Sequence, residues 1–174
     1  LGTLTAQLAN SVDISGNINL ANVENISMNN GASVRMTTAQ NALITSAAGT
    51  NTVTLSNAGT VSGNAAVESY NLAAGAQSFT LGASGQNVTL DSTGSSGSVA
   101  ISTGTLKSVT GTLDDGTGND TIALTLATTG VDISSANTTD VDSIALASGV
   151  SATMTIAQHA LITSAVGNNT VTLS

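Results

Sequence analysis

One stretch of this chain is written twice. Residues 22–56 read NVENISMNNGASVRMTTAQNALITSAAGTNTVTLS and residues 140–174 read DVDSIALASGVSATMTIAQHALITSAVGNNTVTLS. The two align without a gap at an offset of 118, and 21 of the 35 positions are identical. So long a repeat in a chain of 174 residues marks a stacked array, in which each unit buries its apolar face against the next, and not a globule built around one site. The match extends upstream, where TLTAQLANSVDIS (3–15) parallels TIALTLATTGVDIS (121–134) with one extra residue in the second copy. The chain therefore holds one unit of about 118 residues (1–118) and about half of the next (119–174). It starts and stops in mid-unit without a polar cap. That predicts a single continuous segment of a longer array, or a protein whose ends a neighbour covers.

A shorter period lies inside the long one. VENISMNNG (23–31) parallels VESYNLAAG (67–75) at offset 44, and QNALITS (40–46) parallels QNVTLDS (86–92) at offset 46. TVTLS (52–56) parallels SVAIS (98–102), again at 46. Two such modules and a divergent stretch fill the long repeat.

Within the modules, apolar residues alternate with small polar ones: Ile26/Met28, Val34/Met36, Val53/Leu55, Tyr70/Leu72, Phe79/Leu81, Val88/Leu90, Val99/Ile101, Ile122/Leu124, Ile144/Leu146, Met154/Ile156, Val171/Leu173. Period two is the strand signal, one face in and one out. Gly- and Asn-rich turns separate the bursts. Gly and β-branched residues interrupt nearly every helical window. The one stretch with helical character, 37–47, has a module counterpart, GQNVTLDS, that reads as strand. The expected fold is all-β, a parallel β-helix or β-solenoid of tandem repeats. A module of about 45 residues divides into two coils of 22 or 23, and the 118-residue unit into five of 23 or 24. At about 4.8 Å per coil the unit advances roughly 24 Å. The alternative is a string of Ig-like β-sandwiches.

Composition favours the narrower core. The chain has 40% hydrophobic residues but one Tyr, one Phe and no Trp, whereas a sandwich of this size recruits several aromatics. It has no Pro, so every strand can donate to a neighbour. No Cys excludes disulfides and thiolate metal sites. Two basic residues, Arg35 and Lys107, against a net charge of −8 exclude phosphate-neutralising nucleic-acid binding. No run approaches the roughly 18 apolar residues of a membrane helix.

The most chemically suggestive stretch is Leu113-Asp114-Asp115-Gly116-Thr117-Gly118-Asn119-Asp120-Thr121-Ile122. It resembles one copy of the RTX nonapeptide, with Gly116 and Gly118 in a tight turn, Asp120 at the acidic position and Ile122 as the buried residue. The resemblance implies a Ca²⁺ turn using Asp115 and Asp120, with Asp114 as a third carboxylate, since Ca²⁺ takes six to eight oxygens. Neighbouring stretches 82–90 and 94–101 keep the glycines but lack the Asp, and Gly2 stands where Asp120 does in the earlier copy.

An enzyme is not expected. His159 is the single histidine and its counterpart is Asn41, so it reads as a surface or turn residue. Glu24, Glu68 and Asp142 recur at one module position after a Val. They read as solvent-facing charges that discourage lateral pairing, not as a glycosidase pair. Tyr70 and Phe79 read as core. The Thr-x-Thr pairs Thr52/Thr54 and Thr170/Thr172 raise an ice-binding face, but the module counterpart is Ser98/Ala100.

In texture, and in phrases such as DDGTGNDTIALT and VENISM, the whole chain resembles the β-strand-repeat regions of bacterial cell-surface proteins: RTX-like giant adhesins, S-layer proteins and extracellular filaments. The resemblance implies an extracellular position at the bacterial surface or matrix, and often Ca²⁺. It leads to a structural reading, a stalk, S-layer or filament element whose partners are copies of itself. The alternative is a binding module for glycans, a cell surface or ice.

Overall fold

Wherever an apolar residue alternates with a small polar one, the backbone is extended. A computed structural model describes residues 3–16, 22–73, 75–91, 97–117 and 120–174. In chain order its strands are β1 (Thr5–Leu8), β2 (Ser11–Asp13), β3 (Asn25–Met28), β4 (Ser33–Met36), β5 (Ile44–Ala47), β6 (Thr52–Leu55), β7 (Thr60–Ser62), β8 (Ser69–Ala73) and β9 (Ala76–Thr80). They continue with β10 (Asn87–Asp91), β11 (Ser98–Ser102), β12 (Leu113–Asp114), β13 (Thr121–Leu126), β14 (Val131–Asp132), β15 (Ser143–Leu146), β16 (Ser151–Met154), β17 (Ile162–Ala165) and β18 (Thr170–Leu173). Two short helices interrupt them, α1 (Thr38–Asn41) and α2 (Ile156–Ala160).

Among the described residues every strand pairing is parallel, and each joins strands on successive coils. The chain is a β-solenoid of about eight turns. It has three sides. The second side is the sheet β2–β4–β6–β8–β10–β12 and the third is β7–β9–β11–β13–β15–β17. The first side carries β1–β3–β5 at one end and β14–β16–β18 at the other. Turns fill the stretch between. Asn64 Nδ2 donates to Ile44 O (2.7 Å), Gln86 Nε2 to Asn64 O (3.0 Å), and Thr110 N to Ser84 O (2.8 Å). Asp132 N then donates to Lys107 O (2.9 Å), which hands the column to β14.

The core is a set of in-register apolar columns. On the second side Val12, Val34, Val53, Tyr70, Val88 and Leu113 stack. On the third side Val61, Phe79, Ile101, Leu124, Ile144 and Ile162 do so. Tyr70 and Phe79 are core, as expected: both are buried, and their rings meet at 4.9 Å and 57°. Burial pushes the Tyr70 phenol up to about 12. Its hydroxyl donates to Asn41 Oδ1 (3.0 Å) and accepts from Asn64 N (2.8 Å). Each fully buried Val, Leu or Ile contributes about 1.5–3 kcal/mol of transfer free energy.

The coil length differs from expectation, and it varies along the axis. The step from Val53 to its stacked partner Tyr70 is short, and the step from Val88 to Leu113 is long. The long repeat carries β1 on the first side to β13 on the third, which is five turns and two thirds. The shorter module carries β3 on the first side to β8 on the second, two turns and a third. The expected five and two whole coils are thus both corrected, and the mean coil is shorter than they imply. A repeat need not return to its own side, because all three sides make the same demand: apolar in, small and polar out.

The second correction concerns the helices. Thr37 opens α1 with a capping box, its hydroxyl accepting from Gln40 N while Gln40 Oε1 accepts from Thr37 N. Thr155 and Gln158 repeat this at α2. Reciprocal satisfaction of two orphan N–H groups makes one helical turn stable where strand was expected. Ile156, expected inside with Met154, instead starts α2 and is 71% exposed.

Candidate functional site

The carboxylates sort into two kinds by what they touch. Glu24, Glu68 and Asp142 each follow a Val and precede a strand. Their side chains accept the backbone N–H of Leu4 (2.8 Å), Asn51 (2.7 Å) and Ile122 (2.8 Å), all on the preceding coil. Glu24 N donates back to Leu4 O and Asp142 N to Ile122 O. These side chains therefore close rungs of the ladder at a coil's corner, which is more than the solvent-facing charge expected of them. Asp13 and Asp132 are a second repeated device. Each accepts from the backbone N and hydroxyl of a Ser two residues on, Ser15 and Ser134, and these bonds hold both carboxyls below the usual range. Arg35 Nε lies 3.7 Å from Asp13 Oδ2 at the surface.

The acids named from the RTX-like turn are only partly brought together. Asp114 and Asp115 meet at the exit of β12, each half-buried, and Asp140 joins them, the three offering ligand oxygens within 4.8 Å of one another. Asp120 is not in this group. It is buried, and its carboxylate accepts the N–H of Gly97. Gly118 and Asn119 of the motif lie outside the described residues. Desolvation, and then the charges of Asp140, Asp114, Asp120 and Asp142, push the Asp115 carboxyl above the usual range. One Asp114 oxygen is already engaged by Gly116 N (2.7 Å). The donor set suits a hard cation, with carbonyls and water completing the six to eight oxygens that Ca²⁺ takes.

Asp140 escapes a reading of the sequence because its proximity depends on the local coil length. Thr112 bridges to Asn137 on the next coil. The same step taken from Asp115 lands on Asp140, so the register, once known, makes the two acids neighbours.

The outer faces differ in character. On the second side the outward positions carry Ser11, Asp13, Ser33, Arg35, Thr52, Thr54, Ser69 and Asn71, a mixed row. On the third side two columns run in register, Thr60–Ser78–Ala100–Ala123–Ser143 and Ser62–Thr80–Ser102–Thr125–Ala145. Each contains only small, uncharged residues. The depressions found among the described residues hold about 300 to 410 Å³. One lies between α1 and β7, lined by Thr38, Asn41 and Ser62 among others. Another lies against α2, lined by Asn137, Thr139 and Gln158 among others. His159 is exposed on α2, as expected for a surface residue. Among the described residues no helix is long and apolar enough to cross a membrane.

No family model, curated protein or solved structure matches this chain.

Proposed function

We propose that the chain is a structural element, a stiff acidic β-solenoid that serves as stalk, lattice or filament material outside a bacterial cell. One observation carries the reading: the residues kept between copies include buried side chains that join coil to coil. Gln40 and Gln158 donate to Ile14 O and Ile133 O (both 2.8 Å), and Gln86, their module counterpart, donates to Val67 O (2.7 Å). Asn51 and Asn169 accept from Ala32 N (3.0 Å) and Val150 N (2.9 Å). The function that such a pattern serves is mechanical: parallel ladders and a narrow apolar core resist extension. The extracellular setting rests on the resemblance to surface-protein repeats.

Pulling the chain between its termini in a single-molecule force instrument tests this. Coils are expected to peel one turn at a time, each at a force well above thermal fluctuation. One-step collapse at low force would sink the reading. Calcium is part of the proposal as a clamp on Asp114, Asp115 and Asp140, which sit on successive coils. Melting with Ca²⁺ and with EGTA measures it, and an unchanged melting temperature removes calcium from the account.

The third side favours a second reading, a binding face for ice or for a glycan, because its columns run in register and carry no charge. Thermal hysteresis and glycan-array binding, each compared with Ala100→Lys, decide it.

A further inference from the structure

The corner between β3 and β4 holds the only Asn-Gly pair in the sequence, Asn30-Gly31. Ala32 N donates to Asn29 O (3.1 Å) and closes the turn, with Asn30 and Gly31 at its exposed tip. A carboxamide is open to attack by the backbone nitrogen of the residue that follows it. Glycine hinders that attack least, because it has no Cβ. At Gly31, whose φ is +78°, the space a Cβ would take is empty.

The coil above holds both reacting groups. Thr50 N donates to Asn30 Oδ1 (3.1 Å), and Gly31 N donates to Thr50 O (3.0 Å). The Asn30 side chain lies over Gly49, where a Cβ would come within 1.9 Å of Oδ1. Electrophile and nucleophile are thus each tied to Thr50, and both ties must open before they can meet.

We propose that Asn30 is a self-modification site, which deamidates through attack by Gly31 N at a rate set by release of this corner from Thr50. Gly31 N gives up its proton and bonds to Asn30 Cγ. The bond from Cγ to Nδ2 breaks, and ammonia leaves with the proton, closing a succinimide ring. Water then opens the ring. Addition at Cγ breaks its bond to Gly31 N and yields aspartate. Addition at the main-chain carbonyl breaks that bond instead and yields isoaspartate, in which the backbone runs through Cγ. Water enters, ammonia leaves, and no oxidant or reductant is needed. Aspartate adds a negative charge but keeps an acceptor for Thr50 N. Isoaspartate lengthens the backbone where β4 must enter in register with β6. The second copy is exempt: it has Ser148-Gly149, and Ser148 lies over Gly167 as Asn30 lies over Gly49, without a carboxamide.

Incubating the chain in mildly alkaline buffer, folded or in urea, tests this. Peptide mapping by mass spectrometry follows each Asn, and labelling with an isoaspartyl methyltransferase counts the isoaspartate. In urea, Asn30 is expected to convert ahead of every other Asn. In the folded chain its rate is expected to fall about tenfold or more, since tenfold protection needs an opening free energy of only about 1.4 kcal/mol. Asn30→Ser, which copies the second repeat, is expected to keep the circular dichroism spectrum and to remove the fast conversion and its isoaspartate. Another Asn converting first in urea, or fast isoaspartate formation that persists in Asn30→Ser, overturns the site. Equal rates at Asn30 in the folded and unfolded chain overturn the gate.

Discussion

Gln86 shows what a residue must do to hold two coils together. It is buried, accepts from Gly82 N (2.9 Å), and donates to Asn64 O (3.0 Å) and Val67 O (2.7 Å). Leaving such partners unmet in a dry corner costs about 1–3 kcal/mol each. Gln86→Ala is therefore expected to lower the melting temperature clearly, and Gln86→Glu, which keeps the acceptor but turns an oxygen against both carbonyls, to do no better. The acids give a pH signature with two signs. Asp13 and Asp132 are depressed, so their stabilisation is complete above the ordinary carboxylate value of 3.8 and is lost as pH falls through their lower folded values. Asp115 is raised, so its ionisation weakens the fold as pH rises from 3.8 through its folded value. Asp115→Asn is expected to raise the melting temperature at neutral pH and Asp132→Asn to lower it. Scanning calorimetry from about pH 7 to about pH 3, the range over which carboxylates titrate, reads both.

At the scale of the element, strands are set by alternation and corners by side chains that imitate the backbone. Gly111 marks a corner where two coils pass at close range: a Cβ there would strike the backbone carbonyl of Gln86. A carbonyl cannot swing aside as a side chain can, so Gly111→Ala is expected to cost about 1–3 kcal/mol, measured by urea denaturation. Gly31→Ala is strained for a different reason, its φ of +78°, although the space beside it is open. Every alternating pair except Met154/Ile156 is legible as a pair of inward-facing residues, because period two needs no knowledge of what lies opposite. The helices are not legible in this way. Their cue is the pair Thr37/Gln40, and a capping box outweighs the strand reading of the residues that follow only once the corner it turns is known. The acidic cluster is hidden for a related reason: Asp114 and Asp115 are adjacent in sequence, while Asp140 becomes their neighbour only through the coil register.

At the scale of the molecule, stability is a sum over neighbouring coils. Central coils have partners above and below; β1, β2, β17 and β18 have one. Hydrogen exchange followed by mass spectrometry is expected to show slowest exchange in β8 to β11, faster exchange outward, and fastest exchange in the two terminal coils. Uniform protection from end to end in the monomer would contradict a one-dimensional stack.

The repeat advances by a fraction of a turn, and this has a consequence for anything displayed on the outside. Moving one unit along the axis turns the same phrase of sequence through two thirds of a circle, from β1 on one side to β13 on another and from α1 to α2. A mark carried once per unit would thus face three compass bearings in succession and regain its first only after three units. Such a rod would wear its features as a screw thread and not as a stripe. Partners arriving from any direction would meet the same surface at a different height.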